Sequence, residues 1–206
     1  MVAVLLTTGV YMMNSAQADI YNFDAETSGL LPPGWKQGVT GKGSARWAIQ
    51  PDDSAPSKPN VLKQSGVGDF PWVIRQSAAI ENGFVEVKFK SLGGKEDQAG
   101  GVVWRWKDSD NYYVARANAL EDNVSLYYTA NGRRITIKYV DVPVAKKTWH
   151  TLRVDFSDRR IRVSLNGKTV IEVDDTHISG PGAVGMWTKA DSVTAFDDFS
   201  YAAQKR

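Results

Sequence analysis

Residues 84–90, FVEVKFK, alternate without a break: Val85, Val87 and Phe89 fall on one side, Glu86, Lys88 and Lys90 on the other. A period of two belongs to a strand with one dry face and one wet face. Residues 150–156, HTLRVDF, repeat the pattern, with Leu152, Val154 and Phe156 set against Arg153 and Asp155. Working outward, similar runs recur at roughly 8–12-residue spacing, the rhythm of a sandwich or barrel. They are separated by DSDN (108–111), ANG (130–132), SD (157–158), NG (166–167) and SGPG (179–182). Upstream, Pro51, Pro56 and Pro59 break any helix in 38–65. About a dozen strands cannot form one flat sheet without curling or splitting. The expected fold is therefore all-β: two antiparallel sheets packed face to face, one curved over the other, with the concave outer face open to solvent.

The hairpin RIRVSLNGKTVIEV (160–173) tests the pattern. A two-residue Asn166-Gly167 turn in unbroken register sets Ile161 opposite Glu172. A three-residue loop, Leu165 to Gly167, sets Ile161 opposite Ile171 instead, and is preferred because register follows the hydrophobic pattern.

The chain has 206 residues, a net charge of +2, seven tryptophans and no cysteine. That length is enough for one large β domain without covalent staples. The absent cysteines exclude disulfides and thiolate metal sites. So small and mixed a charge gives no footprint for nucleic acid. Residues 1–18 read as a secretory leader: Val2 to Met13 are apolar, and Ala16-Gln17-Ala18 supplies a small-x-small cleavage site before Asp19. The apolar run is too short to span a bilayer. Residues 19–206 are then the folded domain, periplasmic or secreted, without a membrane span and monomeric.

Three longer blocks, AGGVVWRWKDSDNYYVARANALEDNVSLYY (99–128), TWHTLRVDFSDRRIRVSLNGKTVIEV (148–173) and GAVGMWTKADSVTAFDDFSY (182–201), carry a family likeness. They resemble the concanavalin A-like lectin/glucanase superfamily, and within it the bacterial 3-keto-disaccharide hydrolase family. The likeness runs from about Phe84 to Tyr201, with a looser fit back to Ile20. It implies a jelly-roll sandwich, export and a carbohydrate ligand on the concave face. Catalysis is not implied, because the superfamily mixes lectins, glycosidases and inert spacers.

Retaining glucanases of the superfamily carry Glu-x-Asp-x-x-Glu on one strand. The nearest approach, Glu172-Val173-Asp174-Asp175-Thr176-His177, ends in histidine, and Glu172 faces outward in the hairpin. In YYVARAN, Tyr112, Val114, Arg116 and Asn118 share one face, while Tyr113, Ala115 and Ala117 share the other. Arg116 and Asn118 are the forked and amide donors that read sugar hydroxyls; Glu121 and Asn123 follow. The competing reading makes Arg116 a strand cap and 121–123 a plain turn. In VVWRWK, Trp104 and Trp106 fall with Val102 on the core side, which leaves Arg105 outside beside Arg116. In GMWTKADS, Met186 and Val184 belong to the core, so Trp187, Lys189 and Asp191 point away from it. A ring beside an ion pair has the composition of a sugar platform; a loop covering the ring is the bland alternative. Glu121 and Asp191 are the candidate acid/base pair should the protein be a glycosidase.

Asp108, Asp110 and Asn111 suit an Asx turn better than a calcium loop. No cofactor is required, but the likeness to calcium-holding jelly-roll modules makes Asp24, Glu26 and Asp198 candidates for a structural calcium. The expectation is an exported domain that binds a carbohydrate; the rivals are hydrolysis of a (3-keto-)disaccharide or related glycoside and a non-catalytic envelope spacer.

Overall fold

A computed structural model describes residues 17–204. The described part of the proposed leader is therefore only residues 17 and 18; residues 1–16 lie outside the described residues. The chain forms β1 (Asp19–Tyr21), β2 (Trp35–Ser44), β3 (Trp47–Pro51), β4 (Asn60–Gln64), β5 (Val67–Ile80), β6 (Gly83–Gly93), β7 (Ala99–Asp108) and β8 (Asn111–Asn118). There follow β9 (Asn123–Ala130), β10 (Arg133–Asp141), β11 (Trp149–Ser157), β12 (Arg160–Leu165), β13 (Lys168–Asp174), β14 (Gly182–Trp187) and β15 (Val193–Ala203). No α-helix occurs among the described residues.

The strands make two antiparallel sheets. The first runs β13-β12-β11-β6-β15-β4-β3, with β1 pairing the far end of β15; the second runs β10-β9-β8-β7-β14-β5-β2. This is the expected jelly-roll sandwich. The alternating runs that announced it do fill its middle. Val85, Val87, Phe89, Leu152, Val154 and Phe156 of the first sheet meet Val102, Trp104, Tyr113, Ala115, Val184 and Met186 of the second in one buried cluster.

The β12–β13 hairpin solves its register differently from expectation. Asn166 and Gly167, with φ of 51° and 78°, form a two-residue turn of type I′. A bulge between Val163 and Ser164 then shifts the ladder, so that Ile161 faces Val173 and Val163 faces Ile171. Apolar meets apolar as the pattern demanded, but through a bulge rather than a longer loop.

A second bulge corrects the reading of β7. Arg105 sits at φ 46°, and the pairing with β8 slips between Trp104 and Asp108. The slip reverses the alternation beyond Trp104. Arg105 turns toward the sandwich interior and lies 5.8 Å over Phe156, while Trp106 turns to the outside. Across the strand, Gly182 makes room: a Cβ there would approach the Arg105 carbonyl carbon to 2.5 Å.

Candidate functional site

The outer face of the second sheet is curled inward, and its own side chains show it. β10 and β5 are five strand steps apart, about 24 Å in a flat sheet. Yet the Arg134 guanidinium of β10 lies 4.8 Å from the Phe70 ring of β5. Likewise the Thr40 hydroxyl on β2 hydrogen-bonds the Tyr112 hydroxyl on β8 at 2.9 Å, across three intervening strands. The face is concave, and two stretches of it carry chemistry.

At one end is a polar network built on β8, β9 and the loops beside them. Arg116 is 3% exposed and Asp97 fully buried. Nη1 of Arg116 donates to both Asp97 oxygens at 3.2 and 3.3 Å, and Nη2 to Glu121 at 2.9 Å. Asn118 and Asn123 donate to the same Glu121 oxygen at 2.7 and 3.0 Å. Lys189 closes the set with a 2.8 Å bond to Asp97. The alternation of YYVARAN therefore delivers Arg116 and Asn118 to one face as expected, and the structure brings Arg116, Asn118, Glu121, Asn123 and Lys189 together. Partial burial works to raise the Glu121 carboxyl, but Asn123, Arg116 and Lys189 outweigh it and hold the group below the usual carboxylate range.

Asp191 is a different matter. β14 ends at Trp187, so the strand alternation does not extend to it. Its two oxygens accept from the backbone N–H groups of Lys95, Glu96 and Asp97 at 2.7, 3.0 and 3.1 Å. Its slight burial, which would raise it, is overcome by those N–H bonds, and the carboxyl is held low. Asp191 thus caps the loop that presents Asp97; both its oxygens are already committed. Nor is Arg105 part of the face. It is 2% exposed and donates to the carbonyls of Glu81, Ile178 and Asp158 at 3.3, 3.0 and 2.6 Å, pinning three loops.

Trp187 leaves the core, as its neighbours Val184 and Met186 required, but it is no platform. It is fully buried. Phe70 stacks on it at 5.6 Å and 17°, and Arg134 lies 5.8 Å from its ring. Phe70 comes from the neighbouring strand β5, and curvature adds Arg134 from β10, four strand steps from β14.

The rings that border open space lie further along: Trp106 is half-buried, and Trp72 beside it is only 5% exposed. Trp72 and Trp106 meet at 4.5 Å, and Trp106 stacks on Tyr112 at 4.6 Å and 26°. They border a groove of about 680 Å³ whose walls include Lys36, Gln76, Lys107 and Ser109. Gly38 lets Trp72 lie flat, since a Cβ there would come within 2.4 Å of its indole. Sequence reasoning missed Asp97, Trp72, Trp106 and Arg134. The alternation Phe70, Trp72, Ile74 in β5 was a usable signal for Trp72; the bulge that exposes Trp106 has none.

Two of the proposed calcium ligands have protein partners. Asp198 pairs with Lys88 at 2.7 Å, and Asp24 accepts from the Asn60 backbone N–H at 3.2 Å. Among the described residues no group of three or more His, Asp or Glu could hold a metal ion. The two histidines also lie off the concave face: His150 packs near Phe89, and His177 pairs with Asp175 and stacks on Tyr128. Glu172 is an outward hairpin residue held by Arg160 and Arg162. Asp108 accepts from Asp110 N and Asn111 Nδ2 in the expected Asx turn.

Solved structures share this architecture. A carbohydrate-binding module of Bacillus subtilis, CBM66, superposes with a TM-score of 0.67 at 20% identity, covering 82% of this chain and 96% of its own. The cellulose-induced protein Cip1 gives 0.63 at 14% identity over 92% and 98%. A β-glucanase of Bacillus licheniformis gives 0.57 at 13% over 91% and 98%. At such identities the likeness carries the fold alone. No curated protein sequence matches the chain. The family of 3-keto-alpha-glucoside-1,2-lyase-like domains matches residues 30–200, nearly the whole described chain, and the protein belongs to that family.

Proposed function

We propose that this protein is an exported carbohydrate-binding domain that holds a saccharide along its concave face. The observation that carries the reading is the groove bordered by Trp72 and Trp106 on the concave face. Indole faces pack against the C–H face of a pyranose; Gln76 and Ser109 offer polar groups on the groove wall, and the Arg116–Glu121 network offers fixed ones further along the face. Rigid partners lower the ordering cost of binding. The likeness to a carbohydrate-binding module supports the same reading. It requires no cofactor, and no helix among the described residues is long and apolar enough to cross a membrane.

Double-carboxylate hydrolysis is the weaker alternative. It needs a second carboxyl with a raised pKa to act as acid. Glu121 and Asp191 are both held low, and Asp191 is occupied by backbone. Family membership favours a second reading, elimination from a 3-keto glycoside. A base takes the proton from C2, the C1–O bond breaks as C1=C2 forms, and the aglycone leaves with a proton. It needs one base and an electrophile for the enolate, not a carboxylate pair. Glu121 is ionised and its side chain is 42% exposed, so it is the candidate base.

One experiment separates these. The purified protein is titrated by calorimetry with neutral glycosides and their 3-keto derivatives, and the mixtures are then analysed for released aglycone. Binding heat without release is expected. Release from the 3-keto derivatives alone, abolished by Glu121→Gln, would favour the lyase reading instead; release from neutral glycosides would favour hydrolysis, and neither heat nor release would leave a structural module. Export has its own check. Asp19 opens β1 and pairs with Tyr201, so cleavage after Ala18 leaves every described strand intact. Mature protein from its own host should begin at Asp19 by mass spectrometry; a retained Met1 in exported material would refute it.

A further inference from the structure

Arg134 is the cation of the concave face that the fold leaves without an anion. Its guanidinium lies 4.3 Å from the Tyr127 ring, 4.8 Å from Phe70 and 5.8 Å from Trp187. Those rings attract the charge of the guanidinium but accept no conventional hydrogen bond from its five N–H donors. Nη1 is buried and has no hydrogen-bond partner. No carboxylate of the described residues pairs with Arg134, whereas the neighbouring Arg116 and Lys189 are both neutralised by Asp97 and Glu121. A buried donor left unpaired is costly, and a charged one more so.

The excess of positive charge continues into the groove. Lys36 and Lys107 stand on its walls, and Lys107 donates to the Pro181 carbonyl. The one acid there, Asp108, is engaged in its own turn. Desolvation also disfavours the charged form of Arg134; Tyr127 and Asp97 more than offset the repulsion from Arg116 but not the burial. An anionic group brought by a ligand relieves both costs.

We infer that the saccharide held on this face is an acidic one, and that its anionic group is received by the Arg134 guanidinium between Phe70 and Tyr127. This deepens the carbohydrate-binding reading and rests on it. A uronate carboxylate and a sulfate ester share the required chemistry, two anionic oxygens matched to a planar fork.

The test uses pairs that differ only in charge. Oligogalacturonate and oligoglucuronate are compared with their methyl esters, and a sulfated galactan oligosaccharide with its desulfated form. Affinities are measured for the full mature chain, for Arg134→Gln and for Arg134→Lys, each with its melting temperature. At least one acidic member should bind about tenfold or more tighter than its neutral partner, with the margin shrinking as salt rises. The pair that shows it separates uronate from sulfate. Arg134→Gln should abolish the acid-to-neutral margin, and Arg134→Lys should keep part of it. If Arg134→Gln does not fold, Arg134→Lys and the wild-type acid-to-neutral ratio carry the test. Equal binding of acidic and neutral forms by the wild type overturns the inference and leaves the carbohydrate reading standing. Binding of no saccharide overturns both.

Discussion

Two tryptophans on the same outer face should behave in opposite ways when cut back. Trp187 is fully buried beneath Phe70, so Trp187→Ala opens a cavity and should cost about 3–5 kcal/mol of stability. Trp106 is only half-buried at the groove, with Trp72 and Tyr112 as its ring neighbours. Trp106→Ala should leave the melting temperature much closer to wild type while weakening a bound glycan by about tenfold, the scale of one lost ring contact. Both variants are to be melted and titrated with the same ligand. If Trp187→Ala melts normally and loses affinity, the roof over Trp187 opens in solution and that ring is the platform after all. Burial decides between these outcomes, because ring chemistry is the same at both positions.

At the scale of the strand, legibility depended on where alternation survived. The runs at 84–90, 112–118 and 150–156 have no internal bulge, and each of their side chains lies on the face that its position dictates. That is why Arg116 and Asn118 were readable as a pair, and why they brought Glu121 and Asn123 with them. Trp106 and Arg105 exchanged faces because one residue adopted a left-handed φ, and nothing in Trp-Arg-Trp marks such a residue. Lys189 and Asp191 lie beyond the end of β14, where the ladder no longer fixes their direction; Lys189 reaches the network, whereas Asp191 turns to the loop at 95–97. Strand β2 supplies a test at this scale. Gly38 pairs with Trp72, and a Cβ on it would press on the indole. Gly38→Ala should therefore tilt Trp72 into the groove and cut saccharide affinity by about tenfold, one ring contact again. Gly93→Ala, where an added Cβ meets nothing within 4 Å, is the matched control and should bind as wild type. Equal affinity in the two would show that the Trp72 orientation is irrelevant to binding.

The whole molecule sets what no single strand shows, the curvature that brings Arg134 over Trp187 and makes the outer face concave. It also sets how the fold answers acid. Asp52, Glu121, Glu172, Asp175 and Asp191 are all held below their ordinary values. For Glu172 the ion pair with Arg160 dominates; for the other four, hydrogen bonds and nearby cations overcome a burial that acts the opposite way. A carboxyl depressed in the folded state contributes stability that is fully present above its unfolded pKa, near 4, and is lost as pH falls through the folded value. Asp197 has the reverse sign. Burial raises it, although Ser57 and the Asp198 N–H hydrogen-bond its oxygens, so its ionised form opposes folding and acid relieves that opposition. Five contributions against one predict a melting temperature that holds from neutral pH to about 5 and then falls steadily toward 3. The variant Asp197→Asn should fall more steeply at the start of that decline, because it lacks the one group that gains as protons bind. Scanning calorimetry of both proteins at half-unit pH steps reads the two slopes. A wild-type melt that stays flat to pH 3 would mean that these ion pairs and N–H contacts do not persist in solution, and the fixed network around Glu121 would lose its basis with them.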